Sequence, residues 1–129
     1  MKIFLSYASE DREQAHLIAE ALRDEGHDVY PAKNWPQDVR AAMKRAEAFV
    51  VLLSPAAVGS PYVNEEIQQA LLSERFADRL VPVVLKASPH TPWILQTMQP
   101  IPAKQSPKIA AQMISKRLQR HGAADSAAR

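Results

Sequence analysis

The sequence predicts an α/β fold with a parallel sheet, and three observations point there. Short runs of strand-forming residues alternate with segments of helical period, the pattern of repeated β-α-β units. The clearest strand, residues 48–53 (AFVVLL), is apolar throughout, as a strand covered on both faces must be. The 129 residues contain no internal repeat and no linker-like stretch, so they form one domain long enough to bury an ordinary core. Crossovers between parallel strands are right-handed. In such open sheets ligands sit beyond the carboxyl ends of the strands, which directs attention to the loops after Tyr7, Ala32 and Leu53.

Residues 2–7 (KIFLSY) read as the first buried strand. Ser9 is placed to cap a helix, with Glu10, Asp11 and Glu13 in its first turn, where the helix dipole favours acids. Ala15, Ile18, Ala21 and Leu22 form its apolar stripe, and Gly26 stops it. Residues 28–32 (DVYPA) are a second strand, confined to an edge or ended by Pro31. The connection 33–37 (KNWPQ) leads through Pro36, at the first helical position, into a short helix with Val39, Met43 and Ala46 inward. After the 48–53 strand, Ser54 and Pro55 open a loop that runs through Gly59.

The next helix is the most informative. Ser60 offers a capping oxygen and Pro61 a φ that is already helical. Val63, Ile67, Ala70 and Leu71 then make one buried stripe. At 100° per residue Glu65 points away from that stripe, while Glu66 lies at its edge, one turn after Tyr62 on the same side. One carboxylate stands in water and the other at the rim of the core beside an aromatic ring.

Residues 80–85 (LVPVVL) are a fourth strand. The segment 88–103 is irregular and proline-rich, anchored by Trp93, Ile94 and Leu95, and residues 98–101 contribute a short fifth strand. Ser106 and Pro107 start a last helix with Ile109, Met113 and Ile114 inward. It stops near Gly122, so that the domain covers 1–122 and 123–129 (AADSAAR) form a disordered tail.

Composition excludes several chemistries. Without cysteine there is no disulfide, thiolate metal site or cysteine nucleophile. No apolar run approaches the ~20 residues of a membrane helix, and the start turns polar too early for a signal peptide; a cytoplasmic protein with no membrane partner is expected. Sixteen basic and 14 acidic residues give a net charge of +2, too mild to indicate nucleic acid. Lys104, Lys108, Lys116, Arg117, Arg120 and Arg129 crowd the C-terminal quarter and read as a solvated helix face. Three glycines leave no phosphate-cradling loop. His16, His27, His90 and His121 lack metal-ligand spacing, so no metal is expected, and no GxSxG elbow occurs. Glu66 with Tyr62, the hydroxyls of Ser6, Ser9 and Ser54, and the aromatic Trp35 remain as candidate site residues.

The blocks KIFLSYASED, GHDVY, AFVVLLSPAAVGSPYVNEEIQQAL and RLVPVVL resemble, in that order, the strands and helices of a TIR (Toll/interleukin-1 receptor) domain. The resemblance runs to about residue 120. It implies a flavodoxin-like three-layer sandwich, its five-stranded parallel sheet in the order 2-1-3-4-5 with helices on both faces. In the branch it most resembles, the domain is a bacterial-type NAD+ glycohydrolase that releases nicotinamide, by hydrolysis or cyclisation, in defence or signalling. NAD is then the substrate and no separate cofactor is implied. Partners would be other TIR domains or a self-assembly. The family's W-x-x-x-E pattern falls on Tyr62 to Glu66, which makes Glu66 the catalytic carboxylate and replaces the usual Trp by Tyr62. Tyr7, Ala8 and Ser9, after the first strand, match residues that line the nucleotide site. The loop after the second strand is shorter than usual and lacks the typical Pro-Gly. Two other readings share this fold: a non-catalytic TIR adaptor, and an enzyme like the nucleoside deoxyribosyltransferases with a helix-borne Glu as nucleophile.

Overall fold

The computed structural model describes residues 1–103 and 106–127, the side chains of 120–127 excepted. Five parallel strands form one sheet in the order β2-β1-β3-β4-β5. They are β1 Lys2–Ser6, β2 Asp28–Tyr30, β3 Ala48–Leu53, β4 Leu80–Val84 and β5 Ile101–Pro102. The longer helices are α1 Arg12–Asp24, α2 Val39–Arg45, α4 Pro61–Leu72 and α6 Pro107–Ala127. Two single-turn helices, α3 Pro55–Val58 and α5 Trp93–Gln96, occupy stretches predicted as loop, and a 3₁₀ turn at Glu74–Phe76 follows α4.

Side chains alternate across a strand, so each strand feeds two cores. On one face Ile3, Leu5, Val50, Leu52, Val81 and Val83 pack beneath α1 and α6. On the other, Phe4, Phe49, Val51 and Leu53 pack beneath α2, α3 and α4. Every residue of β3 is buried, as its unbroken apolar run requires. Val84, at the end of β4, is only half-buried. An aromatic row crosses the second face from strand to strand. Tyr30 stacks on Phe4 at 4.6 Å, Phe4 on Phe49 at 5.5 Å, and Phe76 closes the row at 5.9 Å. This row fixes Tyr30 at the open end of the sheet edge.

Several local expectations are corrected. Ser9 caps no helix; its hydroxyl donates to Glu10 Oε1 at 2.9 Å. Pro36 precedes α2 rather than opening it, because Asp38 is the cap that accepts from the Arg40 N–H. Val39 lies at the helix mouth and is exposed, as is Leu71 at the far end of α4. In the proline-rich segment Leu95 is the buried anchor, while Trp93 is 73% exposed. On α6 the inward face is Ala110, Ala111, Ile114, Ser115 and Leu118, and Ile109 and Met113 flank it in solvent. Small residues let α6 lie close against Ala15 and Ala19 of α1, a preference invisible to a search for large apolar side chains.

Helix α6 continues past Gly122 to Ala127. His27 is structural: its Nε2 meets Ser115 Oγ at 2.8 Å, and burial lowers its pKa. Arg117 is no bare surface charge, for it donates to the carbonyls of Met98 and Gln99 at 3.2 and 2.7 Å. Lys104 and Arg129, and the side chain of Arg120, lie outside the described residues.

Candidate functional site

The site is made where the end of β1 meets the side of α4. Helix α4 is held firmly at its start. The Ser60 hydroxyl accepts from the Val63 N–H at 3.3 Å, and Pro61 occupies the first turn. Asn64 reaches back to the carbonyls of Val58 and Ser60 at 2.9 and 2.8 Å, tying α4 to α3. Val63, Ile67 and Ala70 are buried on the second core. With that face inward, Glu65 is exposed and Glu66 is half-buried, turned toward β1.

There the Ser6 hydroxyl donates to Glu66 Oε1 at 2.6 Å. The Glu66 carboxyl is pushed above the ordinary range, first by burial and then by the charge of Glu65; the Ser6 hydrogen bond pulls the other way. Among the described residues no second donor reaches this carboxylate. Tyr30 feels it too: burial, then the Glu66 charge, raises the phenol pKa.

Glu66 opens onto a cleft of about 370 Å³. Tyr7, Ala8 and Ser9 line it, as does Tyr62, 79% exposed at the mouth. Phe4 and Leu5 of β1 also line it, and Tyr30, Pro31, Ser60, Glu10 and Arg12 complete the wall; none of these seven was singled out as a site residue from the sequence. Tyr30 and Pro31 carry a faint signal, since they end the second strand at the open edge of the sheet. For Arg12, one exposed cation among many, the sequence holds none.

Three candidates stand elsewhere than expected. Ser6 is buried behind Glu66 rather than in the cleft wall. Trp35 is 4% exposed and lies behind Tyr30, ring centres 5.8 Å apart. Its indole N–H donates to Asp28 Oδ1 at 2.7 Å, and the Arg45 guanidinium covers the ring at 5.5 Å. Trp35 supports the wall from within. Ser54 caps α3, accepting from the Ala57 N–H at 3.0 Å, and donates to Asp11 Oδ2. It lines a neighbouring cleft of about 920 Å³ between the start of α1 and the ends of β3 and β4. That larger space shares Ser9, Glu10 and Arg12 with the Glu66 cleft but does not contain Glu66.

Among the described residues no three His, Cys, Asp or Glu side chains gather as a metal site would need. None of the helices there is long and apolar enough to cross a membrane. The chemistry available is that of one carboxylate, desolvated and fixed, in a cleft walled by aromatic rings.

Comparison with known proteins identifies the family and the fold. The sequence profile of the TIR domain matches residues 3–122. The chain belongs to the TIR domain family. Its fold is similar to the crystal structure of the TIR domain of the Toll-related receptor TRR-2 from Hydra magnipapillata. The TM-score is 0.72 at 17% identity, over 92% of this chain and 95% of the other. A shorter stretch of 46 residues is 48% identical to the NAD(+) hydrolase ApTIR of an Actinoplanes strain. That stretch is 36% of this chain and only 6% of the relative's length.

Proposed function

We propose that this TIR domain is an NAD+ glycohydrolase, acting in the cytoplasm in a defence or signalling role. The observation that carries the reading is Glu66, a half-buried carboxylate held at one oxygen by Ser6 and lining the cleft. The local likeness to a bacterial NAD(+) hydrolase supports it.

NAD is the substrate, and no further cofactor is required. The bond between the ribose C1′ and the pyridinium nitrogen breaks, and its electron pair goes to nitrogen. Nicotinamide therefore leaves as a neutral ring and needs no general acid. Positive charge gathers on the ribose, where the fixed Glu66 carboxylate stabilises it. Water then attacks C1′ to give ADP-ribose, or a group of the substrate itself attacks and closes a ring. Tyr7 and Tyr30 provide flat walls for nicotinamide, with Tyr62 at the mouth. Contacts with other TIR domains, or with further copies of this chain, would regulate the activity.

An adaptor working only through its surface has no use for a desolvated carboxylate. A deoxyribosyltransferase would leave NAD intact and exchange bases on deoxynucleosides. The test is to incubate the concentrated protein with NAD and separate the products. Nicotinamide should appear together with an equal amount of ADP-ribose or a cyclised isomer. Unchanged NAD, with no nicotinamide released at any protein concentration, would contradict the proposal.

A further inference from the structure

We infer that Ser6 is the positioning residue for Glu66: its buried hydroxyl fixes one carboxylate oxygen so that the other faces the ribose. The inference rests on the glycohydrolase reading for its kinetic consequence, but not for the coupling itself.

Ser6 is the last residue of β1, in register with Val51 of β3, and is 1% exposed. The three residues before it, Ile3, Phe4 and Leu5, are buried and apolar. A buried hydroxyl in such a run is unfavourable unless it is hydrogen-bonded. Its side chain bonds across 60 residues of sequence to Glu66 Oε1 at 2.6 Å. Ser6 does not line the cleft, although Leu5, Tyr7 and Ala8 on either side of it do. Its hydroxyl therefore meets the carboxylate rather than the cleft.

Two effects follow. A carboxylate on a two-carbon stem has free torsions, and a short O–H···O bond to one oxygen removes them, aiming the other. Donation to the charged form also opposes the desolvation of Glu66, keeping it ionised at lower pH than burial alone would allow. Glu65, one residue away, stands exposed to solvent.

The test is Ser6→Ala, which removes one oxygen atom. Activity against NAD should fall about tenfold on the acidic limb, with that limb displaced upward by about one pH unit. The KM for NAD should stay within about twofold. Independently of activity, the Glu66 side-chain ¹³C resonance should titrate at higher pH in the variant than in the parent. Ser6→Cys, whose S–H is a weak donor, should shift both readouts in the same direction and serves if Ser6→Ala does not fold. An unmoved Glu66 titration in a folded variant would overturn the inference even if NAD is cleaved. So would a raised KM with an unmoved acidic limb, which would place Ser6 against the substrate. If the parent proves inactive, the glycohydrolase reading fails, and the ¹³C titration still decides whether Ser6 holds Glu66.

Discussion

Asp28 and Glu66 sit at opposite ends of neighbouring strands' reach, both against aromatic rings, and the protein treats them in opposite ways. Asp28 is surrounded by donors. It accepts from the Trp35 indole at 2.7 Å and from the Asn34 amide at 3.3 Å. The Trp35 bond first, helped by Asn34 and the charges of Arg45 and Lys2, holds its carboxyl below the ordinary range. Among the described residues Glu66 has one donor, Ser6, and burial holds its carboxyl above that range. Asp28 is satisfied and joins the β2 strand to the loop beyond it. Glu66 is left under-solvated in the wall of an open cleft. A site that must stabilise a developing cation wants the second arrangement, because water or extra donors would blunt the charge.

The largest effect that sharpens this contrast comes from the structural side. Trp35→Ala empties a buried ring position and removes the principal donor to Asp28. It should cost about 3–5 kcal/mol of unfolding free energy, read from denaturant titration. A loss under about 1 kcal/mol, with NAD binding impaired, would move Trp35 from the packing side to the cleft.

A smaller and more diagnostic effect is the pH dependence of stability in two amide variants. Asp28 has a folded pKa below its unfolded value, so its stabilisation is present above the unfolded value and lost as pH falls through the folded one. Asp28→Asn should therefore be less stable than the parent at neutral pH, the difference fading in acid. Glu66 has a folded pKa above its unfolded value, so ionisation works against the fold as pH rises. Glu66→Gln should gain on the parent from acid to neutral pH. Melting temperatures of the three proteins between about pH 3 and 7 check both signs. Parallel curves for the two variants would break the comparison.

The fold was legible because its strongest signals are local. The β3 run needs no partner to read as a covered strand, and Ser60-Pro61 announces α4. Glu66 was legible for the same reason, since helical geometry alone turns it to the rim and Glu65 outward. Contacts distant in sequence were not. Ser54 reads as a free hydroxyl until the fold brings Asp11 beside it, and Trp35 as a loop aromatic until Asp28 and Arg45 enclose it. Ser6 was singled out as a hydroxyl, but its role depends on a partner 60 residues away. Tyr30 became part of the wall through stacking on Phe4, a pairing set by strand order. On α6 Ile114 was read correctly as inward, but Ala110 and Ala111 escaped because alanine carries little hydrophobic signal although it packs closely.

The central claim is that direction and environment, not composition, make Glu66 the reacting carboxylate. The most direct measurement compares NAD cleavage by Glu66→Gln and Glu65→Gln, two folded variants that differ only in which of two adjacent carboxylates is neutralised. Glu66→Gln should lose two to three orders of magnitude in rate, about 3–4 kcal/mol of transition-state stabilisation. Glu65→Gln should keep the parent's rate within a few-fold. Equal activity in Glu66→Gln and the parent would contradict the account.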